Sequence, residues 1–372
     1  MTASNGHFAG TPRSADYDSV APPRDEVEVD HDRLGRYLAQ MAPGTPFREG
    51  LDRILAGRTG ALIAIGDTEE VAQVSTGGFH LDAAFTPTAL RELSKMDGGL
   101  VVTSDLSRIV RAGVHFTPDA SIETVETGTR HASADRLAKQ TGIPVVTVSA
   151  SMSTIALYLE GQRHVVQRTD ALLARANQAL DALSRYNDRL EGVTATLSSL
   201  EVTDQVTVRD VVFVAQRLEL VRRLAAEVRG FIRQLGVDGR LLDLQLHEAT
   251  DHLSDLAGHL RLDYSDDNEV MAFDRLADLV DAEIVDLDRV AGALGFSGLE
   301  ERLTPRGMRQ LLLIQRLPTS LVPRLLDRFG GLQGLLAASH SELREVDGVG
   351  DTRATLIRDG LVRLTEAAYR LS

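Results

Sequence analysis

Two short stretches hold the polar side chains best placed to act on a phosphate. In ETGTRHASADRLAKQTG, Glu126 to Gly142, the residues Thr129, Arg130 and His131 follow Gly128 and precede a helix-forming run. The positive end of a helix dipole and the bare N–H groups of its first turn favour an anion. A hydroxyl, a guanidinium and an imidazole placed there are donors suited to a phosphate. Gly128 permits a tight turn, Ser133 is the expected cap of the helix ADRLAKQ, and Gly142 is its expected end. A capped helix with a surface arginine and histidine would fit the same pattern. The other stretch is KMDGG, Lys95 to Gly99, where an aspartate and two glycines precede the apolar run LVVTS. The chain contains two lysines, Lys95 and Lys139, and each lies beside one of these loops.

A third stretch has a different chemistry. SELREVDGVGDTRATLIRDGL places Leu343, Val346, Val349, Ala354, Leu356 and Ile357 around Gly348 and Gly350. Glycines allow a tight turn whose backbone N–H groups stay bare at a helix N-terminus, an arrangement that holds a DNA phosphate without reading sequence. The pattern is that of a helix-hairpin-helix, with Gly348, Val349, Gly350, Thr352 and Arg353 as candidate DNA contacts. Two glycines between helices also make plain turns. Upstream, IQRLPTSLVPRLLDRFGGLQGLL repeats the outline with Pro318-Thr319-Ser320 in place of the glycine turn.

These loops need elements to position them. GALIAIG, GLVVTSD and IPVVTVSAS are short apolar runs expected of buried strands, and IALYLEGQRHVVQ reads as a hairpin. TPTALRELSKMDG, Thr86 to Gly98, reads as a helix. A mixed sheet covered by helices is the natural packing. Beyond residue 165 the pattern changes. Leu183, Tyr186, Leu190, Val193, Leu197 and Leu200 alternate spacings of three and four, one apolar stripe on a long helix. Thr207 with Asp210 opens a second helix that runs to Gly236, and helices are expected over 239–262 and 269–294. The expected organisation is a multidomain α/β plus all-α chain: a disordered tail (1–25), a mixed-sheet nucleotide-binding domain (26–164), a helical stalk (165–300) and a helix-hairpin-helix domain (301–372).

Composition sets outer limits. The 372 residues contain no cysteine, which excludes disulfides, thiolate metal sites and cysteine nucleophiles. Tryptophan is absent and aromatics are 4%, which argues against an aromatic base-stacking platform. No apolar run approaches the roughly 18 residues that span a bilayer. The N-terminus lacks the pattern of a secretory signal, so a cytoplasmic location is expected. Net charge is −14, yet residues 301–372 carry 11 Arg and no Lys against 8 acidic residues, a local +3. A mildly basic end on an acidic body suits an anion-binding module. The P-loop, dinucleotide-binding and HExxH motifs are absent.

The two loops in this order, ALRELSKMDGG then VHFTPD then ETGTRH and AKQTGIPVVTVSASM, resemble the DisA family of diadenylate cyclases. That family has Asp-Gly-Ala in the first loop and Gly-Thr-Arg-His-Arg-Thr in the second, followed by a helical stalk and a helix-hairpin-helix domain. The resemblance implies condensation of two ATP into cyclic di-AMP and two pyrophosphates with Mg²⁺ or Mn²⁺, at a site formed by two facing domains of a homo-octamer. It also implies binding to branched or damaged DNA without sequence preference, association with the nucleoid, and no membrane partner. By position, Asp97 matches the aspartate near the ribose hydroxyl and the metal, and Gly98, beside Gly99, matches the glycine whose backbone approaches the nucleotide. The backbone at Phe116 matches the adenine contact, and Thr129, Arg130, His131, Ser133 and Ser149 match the phosphate-side positions after Gly128. Asp97, Arg130 and His131 are thereby the candidate catalytic residues. Three departures stand out: Gly99 replaces an alanine, Ser133 a threonine, and Ala132 the second arginine. The last removes a permanent cation with a planar fork of donors. The alternative is therefore a weakened or inactive nucleotide-binding, DNA-binding sensor of the same fold.

Overall fold

The computed structural model describes residues 31–265 and 271–371. The expected tail over 1–25 lies outside them. Helices α1 (His31–Gln40) and α2 (Pro46–Ala56) lead into β1 (Ala61–Ile65), where every residue is buried. Then follow α3 (Glu69–Gln73), β2 (Ser75–Thr76), β3 (Phe79–Ala84), α4 (Pro87–Leu93), β4 (Gly99–Val102), β5 (Arg108–Phe116), α5 (Thr129–Thr141), β6 (Val145–Ser149), β7 (Thr154–Leu159) and β8 (Gln162–Val165). The sheet order is β2-β5-β4-β1-β6-β7-β8, with β3 also on β5. β1 and β4 are parallel and the other pairs antiparallel, so the sheet is mixed.

The two-residue period of a strand sends alternate side chains to opposite faces. Ala61, Ile63 and Ile65 join Phe47, Leu51 and Ile54 of α2 and Leu90 of α4 in one core. Leu62 and Ala64 join Ala134, Leu137 and Ala138 of α5 in the other. The helix expected over Thr86 to Gly98 is shorter. Thr86 caps α4, which stops at Leu93, and the remaining residues turn into β4. β7 and β8 form the expected hairpin. Glu160 and Gly161 between them have φ of 51° and 73°, the left-handed pair that matches strand twist.

The stalk is built on α6 (Thr169–Val202) and α7 (Val208–Leu235). Leu183, Leu190 and Leu197, seven residues apart, are buried, and Tyr186, Val193 and Leu200 flank them half-buried. The capping box of Thr207 and Asp210 opens α7, and Gly236 follows its end. The two later helices are interrupted. Residues 240–264 form α8 (Arg240–Thr250) and α9 (Leu253–Tyr264). The stretch expected as one helix over 269–294 holds a 3₁₀ turn and the short helices α10 (Asp281–Ile284) and α11 (Leu287–Leu294). Asp286 breaks the run by accepting bonds from the N–H groups of Asp288 and Arg289, the local competition that makes aspartate a cap rather than an interior residue.

The C-terminal helices are α12 (Met308–Leu312), α13 (Val322–Phe329), α14 (Leu332–Ala337), α15 (His340–Arg344) and α16 (Asp351–Leu371). They share a core of their own, which includes Leu343, Val346, Val349, Ala354 and Ile357. A buried polar joint fastens them to the stalk. Asp263 on α9 accepts bonds from the N–H groups of Gly307 (2.8 Å), Met308 (2.5 Å) and Arg309 (3.0 Å), capping α12 from outside. Glu201 on α6, fully buried, accepts from the Tyr264 hydroxyl (2.5 Å), the Arg309 guanidinium (2.6 Å) and the Gln310 amide. Burial and the neighbouring Glu201 charge push the Asp263 carboxyl up to about 6, against the backbone donors that favour its ionised form. Among the described residues no helix is long and apolar enough to cross a membrane.

Candidate nucleotide site

Strand register collects the polar loops at one end of the sheet. Ile63 lies opposite Leu100 in the parallel pair, so the start of β1 and the start of β4 share an end. Val148 lies opposite Ala61, which brings Ser149 there. Gly99 lies opposite Val114, which brings Phe116 there. The last contributor is Arg130 of α5. A Cβ placed on Gly60, just before β1, would fall inside the Arg130 guanidinium, so that glycine clears the space the cation occupies.

Asp97 is exposed and makes no hydrogen bond or ion pair within the described residues. Gly98 has φ +105°, and a Cβ there would sit 2.8 Å from both the Gly113 carbonyl carbon and the Val114 oxygen, so the tight backbone passage requires glycine. A Cβ on Gly99 would run into the Phe116 ring and lie 2.9 Å from the Leu62 oxygen. The missing methyl at Gly99 is therefore matched by an aromatic ring in its place. Both lysines are paired within the chain. Lys95 pairs with Glu92 (2.6 Å), and Lys139 pairs with Asp135 (2.8 Å) and donates to the Glu123 carbonyl (3.0 Å).

The second loop differs from its sequence reading. Gly128, not Ser133, is the N-cap; it is extended (φ −87°, ψ 135°) rather than in a tight turn, and no side chain caps the helix. Its carbonyl accepts the Ala132 N–H (2.8 Å), so Thr129, Arg130 and His131 form the first helical turn instead of preceding it. Gly142 ends the helix in the left-handed conformation, as expected. At about 100° per residue, Thr129 and Ser133 share one face, Arg130 flanks it on one side and Ala132 on the other, about 160° apart. His131 falls on the opposite face, against the sheet. It is buried, with Nδ1 2.9 Å from the Tyr158 hydroxyl and 3.3 Å from the Thr147 hydroxyl. Burial, then the nearby Arg163 charge, lowers its pKa, so the ring is neutral at pH 7. Ser149 is also buried and accepts from the Met152 N–H (3.4 Å).

No cluster of three or more metal-ligating side chains is present among the described residues. A free carboxylate at Asp97 is still compatible with Mg²⁺, which commonly takes one or two protein carboxylates and completes its shell from substrate phosphates.

At the other end of the chain, Gly348 (φ +87°) makes the tight turn between α15 and α16. One expectation is corrected: the Val349 N–H is bound by the Val346 carbonyl (2.9 Å) and is not bare. Gly350 accepts the Ala354 N–H (2.9 Å). Thr352 and Arg353 are exposed, with Arg353 folded back onto the Gly348 carbonyl (2.6 Å).

The chain thus pairs a polar-ended mixed sheet with a stalk of two long helices. Residues 48–163 match the family model described as DisA bacterial checkpoint controller nucleotide-binding, and residues 166–303 match the DisA bacterial checkpoint controller linker region. Curated relatives named DNA integrity scanning protein DisA extend the likeness across nearly the whole chain. The one from Parafrankia is 48% identical over 358 residues, covering 94% of this chain and 98% of its own. The one from Kineococcus radiotolerans is 51% identical over 344 residues (90% and 96%), and that from Streptomyces coelicolor 50% over 344 residues (89% and 91%). The chain belongs to the DisA family.

The sequence reading missed the groups behind the second loop. Tyr158 and Thr147 contact His131, while Glu126 at the head of the loop pairs with Arg163 of β8 (3.4 Å). Gly60 carries a signal, a glycine directly before a buried strand, but strand patterning alone does not connect it to Arg130.

Proposed function

We propose that this protein is a diadenylate cyclase whose output is coupled to DNA structure. Two ATP are condensed, each 3′-hydroxyl attacking the α-phosphate of the other. Each attack forms one phosphodiester, releases the hydroxyl proton and expels one pyrophosphate, giving cyclic di-AMP. The observation that carries the reading is the convergence on one sheet end of free Asp97, the Gly98 backbone and Arg130 over Gly60. Asp97 would hold Mg²⁺ or Mn²⁺, which when bound supplies charge neutralisation at the phosphates. Thr129 and Ser133 offer hydroxyls to the phosphates and Arg130 a cation. The Gly98 backbone lies against the nucleotide, and the Phe116 backbone meets adenine. Phosphoryl transfer depends mainly on such positioning and electrostatic stabilisation. Two facing domains are needed for two nucleotides, in keeping with a homo-octamer. The hairpin around Gly348 would hold branched or damaged DNA by its phosphates, at the nucleoid.

The test is incubation of the pure protein with ATP and Mn²⁺, looking for cyclic di-AMP. Asp97→Asn is expected to abolish the product while the assembly stays intact, and near-normal product from that variant would overturn the role of Asp97. Ala132 favours a second reading, a nucleotide-binding sensor that has lost turnover. ATP binding without product, in the presence and absence of DNA, would establish it.

A further inference from the structure

We propose that the cleft between the stalk and the C-terminal helices binds a small apolar molecule that carries an ammonium group. This site stands whether or not the chain is a cyclase. A cavity of about 540 Å³ lies there, within the roughly 300–1,000 Å³ of small-molecule sites. Leu190 and Ala195 of α6 and Leu256 of α9 line it from the stalk, and Leu312 of α12 with Leu364 and Ala367 of α16 line it from the C-terminal unit. Two bonds fix how α6 and α9 lie. Asn187 donates to the Ala249 carbonyl (2.8 Å), just before α9, and Glu201 accepts from the Tyr264 hydroxyl (2.5 Å) at its end. The two helices therefore run side by side in the same direction.

That direction sets where the charges fall. At 1.5 Å per residue, Glu191 stands about 6 Å beyond Asn187, and Asp255 about 9 Å beyond Ala249. Both carboxylates line the cavity, at the end away from Glu201, which is about 15 Å further along α6 than Glu191. Arg309 is the one cation of the lining, and Glu201 already pairs with it (2.6 Å). Glu191 and Asp255 have no hydrogen bond or ion pair within the described residues. The remaining titratable groups of the lining are His252 and His259, on the α9 side. With both imidazoles neutral, the unbalanced charge is negative and sits at one end of an aliphatic interior. Such a lining takes an apolar body out of water and draws an ammonium to the paired carboxylates, which repel an anion. A molecule seated there touches the stalk and the C-terminal helices at once, so its binding stabilises the docked joint.

Three probes with one rigid body test the site: aminoadamantane, adamantanol and adamantane carboxylate. Titrated calorimetrically into the full-length protein, the amine is expected to bind roughly fivefold more tightly than the alcohol, about the most that an exposed ion pair adds, and the carboxylate is expected to bind least. The double variant Glu191→Gln, Asp255→Asn changes two exposed side chains and is expected to bind amine and alcohol alike. Ala195→Phe and Ala367→Phe fill the cavity from α6 and from α16, and each is expected to abolish binding of all three probes. Ala367 is exposed, so its variant keeps the test open should Ala195→Phe fail to fold. Saturating amine is expected to raise the Tm of the wild type and to leave that of a filled variant unchanged. No saturable binding of the amine, equal affinity for the three probes, or binding that survives in a folded, cavity-filled variant would overturn the proposal.

Discussion

Restoring the second arginine is the most direct probe of the altered loop. Ala132 is half-buried in the first turn of α5 and about 160° from Arg130 around the axis, so Arg130 projects to the other flank of the Thr129–Ser133 face. An arginine at 132 would complete a second flank beside Thr129 and Ser133. If it acts like a preorganised donor to a transferring group, it supplies about 2.7–4 kcal/mol at the transition state. Ordering a long side chain opposes this by roughly 1.5–2 kcal/mol. The remainder, about 1–2 kcal/mol, corresponds to roughly a five- to thirtyfold gain in rate. Ala132→Arg is therefore expected to raise cyclic di-AMP synthesis on the order of tenfold, with ATP affinity changed less than turnover. A cation in the first turn also opposes the helix dipole, at about 0.3–1 kcal/mol of stability, which thermal unfolding should register separately. Equal rates for wild type and variant, both folded and binding ATP, would refute the reasoning and show that another group supplies the charge.

Glu201→Gln leaves the size of a buried carboxylate and removes the charge that Arg309 faces. A loss of about 3–5 kcal/mol is expected in urea unfolding, and a loss under about 1 kcal/mol would show that the joint is not held by that charge. Gly348→Ala forces a side chain into φ +87° and sets its Cβ 3.1 Å from Leu321. It is expected to cost about 1–2 kcal/mol and weaken DNA binding in a mobility-shift titration while ATP binding stays normal. Unchanged DNA affinity would place the contact elsewhere. Asp263, raised to about 6 from 3.8, favours the folded state when protonated. Its contribution is present below about pH 4 and lost as pH rises through about 6, on the order of 3 kcal/mol, a component of the stability–pH curve that Asp263→Asn should lack.

The strands were legible because both signals were local. A short, largely apolar run announces a strand covered on both faces, and β1, β4 and β6, buried throughout, are such runs, β1 lying between Gly60 and Gly66. Gly142 and the Thr207–Asp210 box were readable for the same reason. The start of α5 was misplaced by a turn because Ser133 offers a stronger capping signal than Gly128, yet an extended glycine also serves as an N-cap. The inward turn of His131 was invisible because it depends on Tyr158, 27 residues away, across the sheet. The break at Asp286 had a signal, an aspartate inside an apolar pattern, that periodicity alone overrode.

The 34 residues of α6 make a rod of about 51 Å from the sheet to the C-terminal helices. Such a rod transmits phase as well as distance. Trimming seven residues from α6, matched in α7, would shorten it by about 10 Å and turn its far end by only about 20°. Trimming two from each would shorten it by about 3 Å but swing the far end by about 160°. The heptad of Leu183, Leu190 and Leu197 would survive the first change and be lost in the second. Of these two changes, only the whole-heptad step keeps the Gly348 hairpin near its bearing relative to the nucleotide end.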